Sequence, residues 1–432
     1  MEYKKSIYQI CQALDANVVL CYSSVSGLHI LLSMPVYSLY KEGKLKDLHD
    51  QYPNVFNRLV ESRFIVEKDV DEYSETIKSL RRIKEDTTMY QLIVNPTLDC
   101  NLSCWYCYEN KIPHSSMGAK LADAVVTNIK QHYLEHPYKM LKLSFFGGEP
   151  FLRPNIVKSI VLGADEVCRL NSTDLLLDFT TNGTLLTESV LDVLKNYRCT
   201  FQITLDGNRE QHNKIKFTAN KNFDAFSSTV RNIKRIQNVI KDSFVAVRIN
   251  FDEVTLDSFD SILEEIKSLD RLRTKVILKK IWQVDKEKVA MDKVYNVIDK
   301  LFQNDFVVDY DSQVGLCFAD RHNEAVINYD GNVFKCTTIT SFDKENSFGS
   351  LNQSTGEIVW DSDKINRLYS QKIPEYCKTC PYFPTCGGPC SMKMFVKQQS
   401  CDLVDMNVLK KHLKTQFEIS YMARQIQLKY TK

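Results

Sequence analysis

Ten of the chain's 14 cysteines lie in two groups, and that grouping limits what the polypeptide can become more than any other feature. Cys100, Cys104 and Cys107 form the first group. Cys317, Cys336, Cys377, Cys380, Cys386, Cys390 and Cys401 form the second, leaving Cys11, Cys21, Cys168 and Cys199 scattered. The N-terminal stretch MEYKKSIYQICQALDANVVLCY has no apolar core followed by a small-residue cleavage site, so a cytoplasmic chain is expected. Disulfides rarely persist in reducing cytosol, and grouped thiols there mean ligation before they mean packing. From Cys317 onward regular periodicity gives way to close-set Cys, Gly and Pro, as in CKTCPYFPTCGGPC. A loop-rich segment of that kind needs ligand bonds to hold it. The scattered four read as buried core thiols.

Between Tyr90 and about Asp305, short β-rich runs alternate with amphipathic helical stretches, the mark of βα units on a parallel sheet. The runs fall at 90–97, 142–148, 175–183, 199–207, 244–251 and 275–283. The helices are expected at Gly118–Glu135, Asn155–Leu170, Glu188–Asn196, Phe223–Ile240, Ser258–Leu269 and Val289–Phe302. Six such units are too few to close an eight-stranded barrel, so the expected fold is α/β, a partial (βα)6 TIM-like barrel with its site at the strand C-termini. Residues 1–70 read as a separate small module: strands NVVLCYSS and GLHILLS around a Ser-Gly turn, helices at Pro35–Lys41, Leu45–Gln51 and Asn54–Glu61, then the strand FIVEKD. A charged linker helix runs to about Glu85 within 71–89. The barrel then occupies 90–305, the loop-rich segment 306–410 and a C-terminal helix 411–432. The 432 residues suit this division at ~100–200 residues per domain. Lys+Arg 56 against Asp+Glu 54 leaves no global field to recruit nucleic acid or an anionic membrane. No apolar run reaches the ~18 residues of a membrane span.

The first group sits in LDCNLSCWYCYEN as C-x3-C-x2-C, directly after the first strand. A four-iron, four-sulfur cube is commonly held by four cysteines, so three leave one iron open for a small ligand. A zinc site here would be short of one ligand, because zinc favours a C-x2-C pair plus a distant second pair. The motif resembles that of the radical S-adenosylmethionine (SAM) superfamily, C-x3-C-x-aromatic-C, with Cys100, Cys104, Tyr106 and Cys107 in its positions. The resemblance implies that SAM chelates the open iron, that Tyr106 lies near the adenine, and that an electron from the cube yields a 5′-deoxyadenosyl radical able to abstract an unactivated hydrogen.

Other segments fall at strand ends. Phe146-Gly147-Gly148-Glu149-Pro150 closes the second run; its glycines permit close backbone approach to a ligand, and Glu149 can accept from an ammonium. It resembles the family's GGEP motif, which contacts the methionine amino group. Thr180-Thr181-Asn182-Gly183 closes the third and resembles the family's Thr/Ser-x-Asn-Gly segment near the SAM ribose and carboxylate. Leu205-Asp206-Gly207 closes the fourth, and Arg248 lies within the fifth. Asp206 and Arg248 are candidates for SAM or substrate contact and for catalysis. The structural alternatives are an Asx turn at Asn182, a strand-end turn at Asp206 and a snorkelling Arg248.

The second group is spaced Cys317-x13-Gly331-x4-Cys336, a gap, Cys377-x2-Cys380-x5-Cys386-x3-Cys390, and Cys401 after x10. This resembles the SPASM extension of radical SAM enzymes. A pair of zinc knuckles would use four ligands and leave three idle. The resemblance implies two auxiliary [4Fe-4S] clusters, three in all. Cys377, Cys380, Cys386 and Cys401 would hold the distal cube; Cys317, Cys336 and Cys390 the inner one. Phe318 to Lys335 contains no further cysteine. The inner cube then keeps an open iron for a substrate thiolate, water or another side chain, with Cys199 or Cys168 as remote alternatives.

SPASM proteins mostly modify peptides or proteins. The first 70 or so residues resemble in layout the winged-helix-like modules that precede many peptide-maturing members and bind a leader peptide as an added strand. The reading is therefore a leader-dependent enzyme that abstracts hydrogen from a ribosomally made precursor peptide and closes a thioether or carbon–carbon cross-link. The leader would bind near residues 18–34, and flavodoxin or ferredoxin would serve as reductant. An anaerobic sulfatase maturase forming formylglycine is the second reading, weakened because that family places Asp after the cysteine equivalent to Cys336, where Thr337 stands. A third, non-catalytic iron–sulfur carrier would have no use for Gly147, Gly148, Glu149 or Asn182. Asp206, Glu149, His114, Tyr108 and Asp320 are the candidate acids or bases.

Overall fold

The computed structural model describes residues 2–218, 222–281, 289–310, 316–339, 341–397, 401 and 406–431. The chain divides into two compact units: residues 1–86, 312–322 and 366–420, and residues 87–311, 323–365 and 421–432.

In the larger unit all six expected strands form, as Met89–Val94, Met140–Phe145, Asp174–Thr181, Arg198–Thr204, Ser243–Phe251 and Thr274–Lys280. They lie side by side in chain order and every neighbouring pair is parallel. The last two residues of the expected sixth run, 282 and 283, lie outside the described residues. Helices Ala119–Glu135, Pro154–Asn171, Glu188–Leu194, Ala225–Val239, Phe259–Ile266 and Met291–Gln303 follow the strands. This is a mixed α/β fold on a parallel sheet. The strands bury apolar side chains on both faces, which is why they read as near-continuous apolar runs. Register places Phe145 beside Phe179 and Phe179 beside Phe201. Their rings stack at 5.3 and 5.0 Å between centroids, and Phe151 stacks on Phe179 at 5.3 Å.

The sheet does not end at its sixth strand. Val307–Tyr310 adds in parallel to one edge and Glu324–Ile327 to the other, beside Met89–Val94; Asn332–Phe334, Gly349–Leu351 and Ile358–Trp360 continue antiparallel. Residues 307–310 and 324–360 thus carry sheet structure where the sequence suggested loop. Strands of three or four residues are too short for their alternation to register in sequence. Lys335 and Glu324, both fully buried, pair at 3.0 Å beside this extension. Two short helices, Arg209–Ile215 and Glu253–Asp257, also went unread. The first opens on a capping box in which Asn208 accepts from the Gln211 N–H and the Gln211 side chain accepts from the Asn208 N–H.

In the smaller unit the expected pair forms at Val18–Ser23 and Leu28–Ser33, turning through Gly27 at φ +69. Gln9–Ala13 completes a three-stranded antiparallel sheet, and Tyr3–Lys5 pairs with Ile65–Glu67. Three helices, Met34–Lys41, Leu45–Gln51 and Pro53–Glu61, share its core through Val36, Tyr40, Leu48, Phe56 and Leu59. The first two strands escaped sequence reading because YKK and QICQA are short and mix polar and apolar residues, and YKK pairs only with the remote Ile65–Glu67. Within this unit Ile10, Leu20 and Tyr22 pack on Tyr382 and Leu413. The Tyr8 hydroxyl donates to the Lys378 carbonyl at 2.9 Å, and Tyr22 and Thr385 share a hydroxyl bond at 2.7 Å. Among the described residues no helix is long and apolar enough to cross a membrane.

The three-ring stack of Phe145, Phe179 and Phe201 runs across three parallel strands within the larger core. Phe179→Ala is expected to cost about 3–5 kcal/mol, read as a drop in the urea midpoint with unchanged slope.

Candidate active site

The C-terminal ends of the parallel strands enclose a cavity whose empty space, solvent at its open mouth included, is about 940 Å³. Cys100, Cys104, Cys107, Tyr106, Gly147, Gly148, Thr180, Thr181, Asn182 and Arg248 all line it, so residues up to 148 positions apart in sequence face one space. Glu149, Pro150 and Asp206 do not reach that wall; all three are buried behind it.

The cysteine loop is held by the turn after the second strand. Gly148 N–H donates to Thr97 O at 3.1 Å and Glu149 N–H to Asp99 O at 2.8 Å. A Cβ on Gly147, at φ +105, would lie 2.3 Å from Thr97 O, and one on Gly148 would lie 2.1 Å from Asp99 O. The two glycines therefore make room for the loop's own backbone while also lining the cavity. Asp99 then organises the loop, accepting from Cys100 N–H at 2.8 Å and His114 N–H at 2.9 Å.

Glu149 is likewise a brace. Its carboxylate accepts from Thr181 Oγ1 at 2.8 Å, Asn182 N–H at 2.8 Å and Phe151 N–H at 3.1 Å, joining the second and third strand ends. Burial pushes its carboxyl up to about 7, against the pull of those donors. Pro150 opens the short 3-10 turn Pro150–Leu152. Asn182 does two things at once: its Oδ1 accepts from Thr184 N–H at 2.9 Å in an Asx turn, and its Nδ2 lies 3.9 Å from Cys100 Sγ.

Asp206 is fully buried and accepts on both oxygens. Asn250 donates its N–H at 3.0 Å and its Nδ2 at 3.1 Å to one, while the Tyr106 hydroxyl donates to the other, which also pairs with Lys216 Nζ at 3.1 Å. Burial pushes the carboxyl up, but the Lys216 ammonium and these donors outweigh it and hold Asp206 below the usual carboxylate range. Lys216 stands at the end of the Arg209–Ile215 helix and donates to Thr204 Oγ1 at 2.7 Å and to the Tyr106 hydroxyl at 3.2 Å, with Cys104 Sγ at 3.9 Å. The Tyr106 ring is thus fixed by an ion pair behind it. Arg248 reaches the cavity with its Nε donating to Asn250 Oδ1 at 2.9 Å.

Sequence reading missed Glu109, Lys111, Gln202, Thr204, Lys216, Asn250 and Lys280, all of which line the cavity. Thr204 and Lys280 are the last residues of their strands and Asn250 the penultimate one, a positional signal that was available. Burial pushes Glu109 up to about 8, and its Oε1 is buried without a hydrogen-bond partner. Of the other candidate acids, Tyr108 lines the cavity with its hydroxyl pushed up by burial and by Glu109. His114 is exposed at φ +62, and Asp320 accepts from the Ser391 hydroxyl in the smaller unit. Cys199 and Cys168 lie in the sheet core, Cys199 at the N-terminal end of its strand and so away from the cavity.

In the smaller unit burial pushes the Cys377 thiol up to about 12, and Cys380, Cys386 and Cys401 add to that rise by repulsion. Cys317 caps the turn Phe318–Asp320 and Cys390 precedes the helix Ser391–Lys397 in that unit; Cys336 follows Asn332–Phe334 in the other and accepts from Thr338 N–H at 3.3 Å. In the cavity, three thiols on one loop beside a glycine cradle and two N–H donors aimed at sulfur fit a site-differentiated cluster.

Two outcomes follow from this geometry. Gly148→Ala drives a methyl into the Asp99 carbonyl, so anaerobically reconstituted variant protein should bind less iron than wild type and lose the SAM-dependent change in its EPR signal, with the sheet's far-UV circular dichroism retained. His212, buried with Nε2 unpartnered and held down at about 3 chiefly by burial, should make the fold acid-sensitive. The unfolded chain takes up this proton near 6.5 and the folded one only near 3, so stability is full above 6.5 and falls toward 3, by at most about 1.4 kcal/mol per pH unit. His212→Phe should flatten that slope in melting curves between pH 6.5 and 4.

Residues 94–276 match the radical SAM superfamily and residues 317–381 the SPASM iron–sulfur cluster-binding domain. The antilisterial bacteriocin subtilosin biosynthesis protein AlbA of Bacillus subtilis (strain 168) is 25% identical over 319 residues, which are 68% of this chain and 65% of AlbA, so the chain spans just under two thirds of that relative. Among solved structures, the AdoMet-bound anSMEcpe aligns with a TM-score of 0.58 at 16% identity, over 78% of this chain and 99% of that one. Streptococcus suis SuiB bound to precursor peptide SuiA aligns with 0.51 at 12%, over 91% and 97%. With thiol loop, glycine turn and Asn182 gathered at the strand ends and both regions matched, the chain carries a radical SAM domain followed by a SPASM iron–sulfur cluster-binding domain.

Proposed function

We propose that this enzyme matures a ribosomally made peptide by radical cross-linking. The observation that carries the reading is the convergence of Cys100, Cys104 and Cys107 with Gly147, Gly148, Asn182 and Arg248 on one open cavity. When bound, SAM and the cluster on those three cysteines supply a 5′-deoxyadenosyl radical that takes a hydrogen atom from a side-chain or α carbon of the peptide. By the spacing in the sequence, Cys377, Cys380, Cys386 and Cys401 would hold one auxiliary cluster, and the remaining cysteines of the second group would serve another, three in all. Closing the thioether or carbon–carbon bond would release one proton and one electron, and the auxiliary clusters would supply the electron acceptor. Flavodoxin or ferredoxin supplies the electron for SAM cleavage.

The chain's own residues orient and shield. Tyr106, fixed by Asp206, Asn250 and Lys216, forms a rigid wall, and Asn182 and Lys216 direct N–H groups at the thiol loop. Glu109, Arg248 and Lys280 give the remaining lining its charge for the substrate. The leader is recognised by residues 18–34. Leu28–Ser33 is the outer strand of its sheet and shows Leu28 and Leu31 at 44% and 50% exposure, as suits a strand that takes up another chain. AlbA's role in subtilosin biosynthesis and the peptide bound to SuiB support a peptide substrate.

Reconstituted enzyme incubated anaerobically with SAM, a one-electron reductant and a short precursor peptide encoded beside it should release 5′-deoxyadenosine and leave a peptide lighter by two hydrogens. That product should require the leader, and Cys104→Ala should abolish the 5′-deoxyadenosine. Retained cleavage in the variant would sink the cluster assignment. Formylglycine formed on a folded sulfatase, with no change in any peptide, would favour the maturase reading instead.

A further inference from the structure

Lys216 is an expensive way to hold a tyrosine. Its side chain is only 3% exposed, and an ammonium taken out of water costs several kcal/mol unless fully paired. Its partners are Asp206 at 3.1 Å, Thr204 Oγ1 at 2.7 Å and the Tyr106 hydroxyl at 3.2 Å, and the remaining neighbour is Cys104 Sγ at 3.9 Å, the outer edge of an N–H···S bond. A neutral donor or an apolar packing residue would pin Tyr106 without a buried charge. What a neutral residue would not provide is a positive charge against one of three thiols on the loop. Asp206 makes the pair neutral overall, but the ammonium is the end that touches sulfur. Because Asp206 is held as a carboxylate by two donors from Asn250, the ion pair is fixed in that orientation.

Accepting the proposed cluster on Cys100, Cys104 and Cys107, we propose that Lys216 tunes that cluster, holding an N–H donor and a positive charge on the Cys104 thiolate so that the one-electron reduced state is easier to reach. Reduction adds one negative charge to the cluster. A cation at a ligand sulfur stabilises the reduced form more than the oxidised one, and hydrogen bonds to the sulfurs act in the same direction. Asn182 Nδ2, 3.9 Å from Cys100 Sγ, supplies a second and neutral donor of this kind. Lys216 therefore acts as a positioning residue through the cluster's potential.

The test is a redox titration of reconstituted holoenzyme followed by EPR, reading the component that SAM perturbs. In Lys216→Met/Asp206→Asn, which removes the ammonium without stranding the carboxylate, the reduced-to-oxidised ratio at the wild-type midpoint should fall about tenfold. In Lys216→Arg it should stay within about threefold. A ratio unchanged in the double variant, with equal iron and an intact SAM response, overturns the inference. If that variant does not load its cluster, wild-type protein grown on 15N-lysine decides: pulsed EPR of the SAM-perturbed signal should show a weakly coupled 15N, and its absence overturns the inference. A wild-type protein with no SAM-perturbed signal at all would overturn the cluster reading, a separate result.

Discussion

Two backbone hydrogen bonds, from Gly148 N–H to Thr97 O and from Glu149 N–H to Asp99 O, hold the cysteine loop against the end of the second strand, and the rest of the site is arranged around that contact. The approach is so close that no side chain fits at either glycine. Asp99 spends its carboxylate on Cys100 and His114 N–H groups, which sets the loop's path. Glu149 ties the same strand end to Thr181 and Asn182 on the next. The loop, the glycine turn and the Thr-Asn-Gly segment are thus one hydrogen-bonded body, and a fault in any part would move the thiols.

Behind this body lies a buried charge network rather than a second layer of apolar packing. Asp206, Lys216, Tyr106 and Asn250 satisfy one another, and His212 accepts the Asp206 N–H at 3.1 Å while staying neutral. Such networks are costly unless complete, because each unpaired member keeps its full desolvation penalty. Completing this one fixes the orientation of the Tyr106 ring and of the ammonium beside Cys104. The lining itself is less settled: Glu109 retains an unpartnered buried oxygen, which marks where a ligand would find a polar contact.

The smaller unit shows a second use of the same economy. Cys377, Cys380 and Cys386 sit in a segment with little regular structure, and that segment rests on the N-terminal sheet through Tyr8, Tyr22 and Tyr382. A chain this poor in secondary structure leans on a neighbouring sheet and on its ligands for its shape.

Much of this was legible in the sequence because it rests on local or periodic signals. The six parallel strands announce themselves as apolar runs buried on both faces. The C-x3-C-x2-C spacing needs no tertiary knowledge to read as a ligand loop, and the second cysteine group likewise. The short strands at 324–360 and the helix Arg209–Ile215 were hidden because a few residues carry too little periodicity. Tertiary structure alone decided what each polar residue does. It made Glu149 and Asp206 buried braces between strand ends, brought Lys216 to Cys104 across 112 positions, and made the paired glycines seats for the loop. The physical reason is that a sequence names the donors and acceptors, whereas burial and register choose which of them meet and which keep an open face.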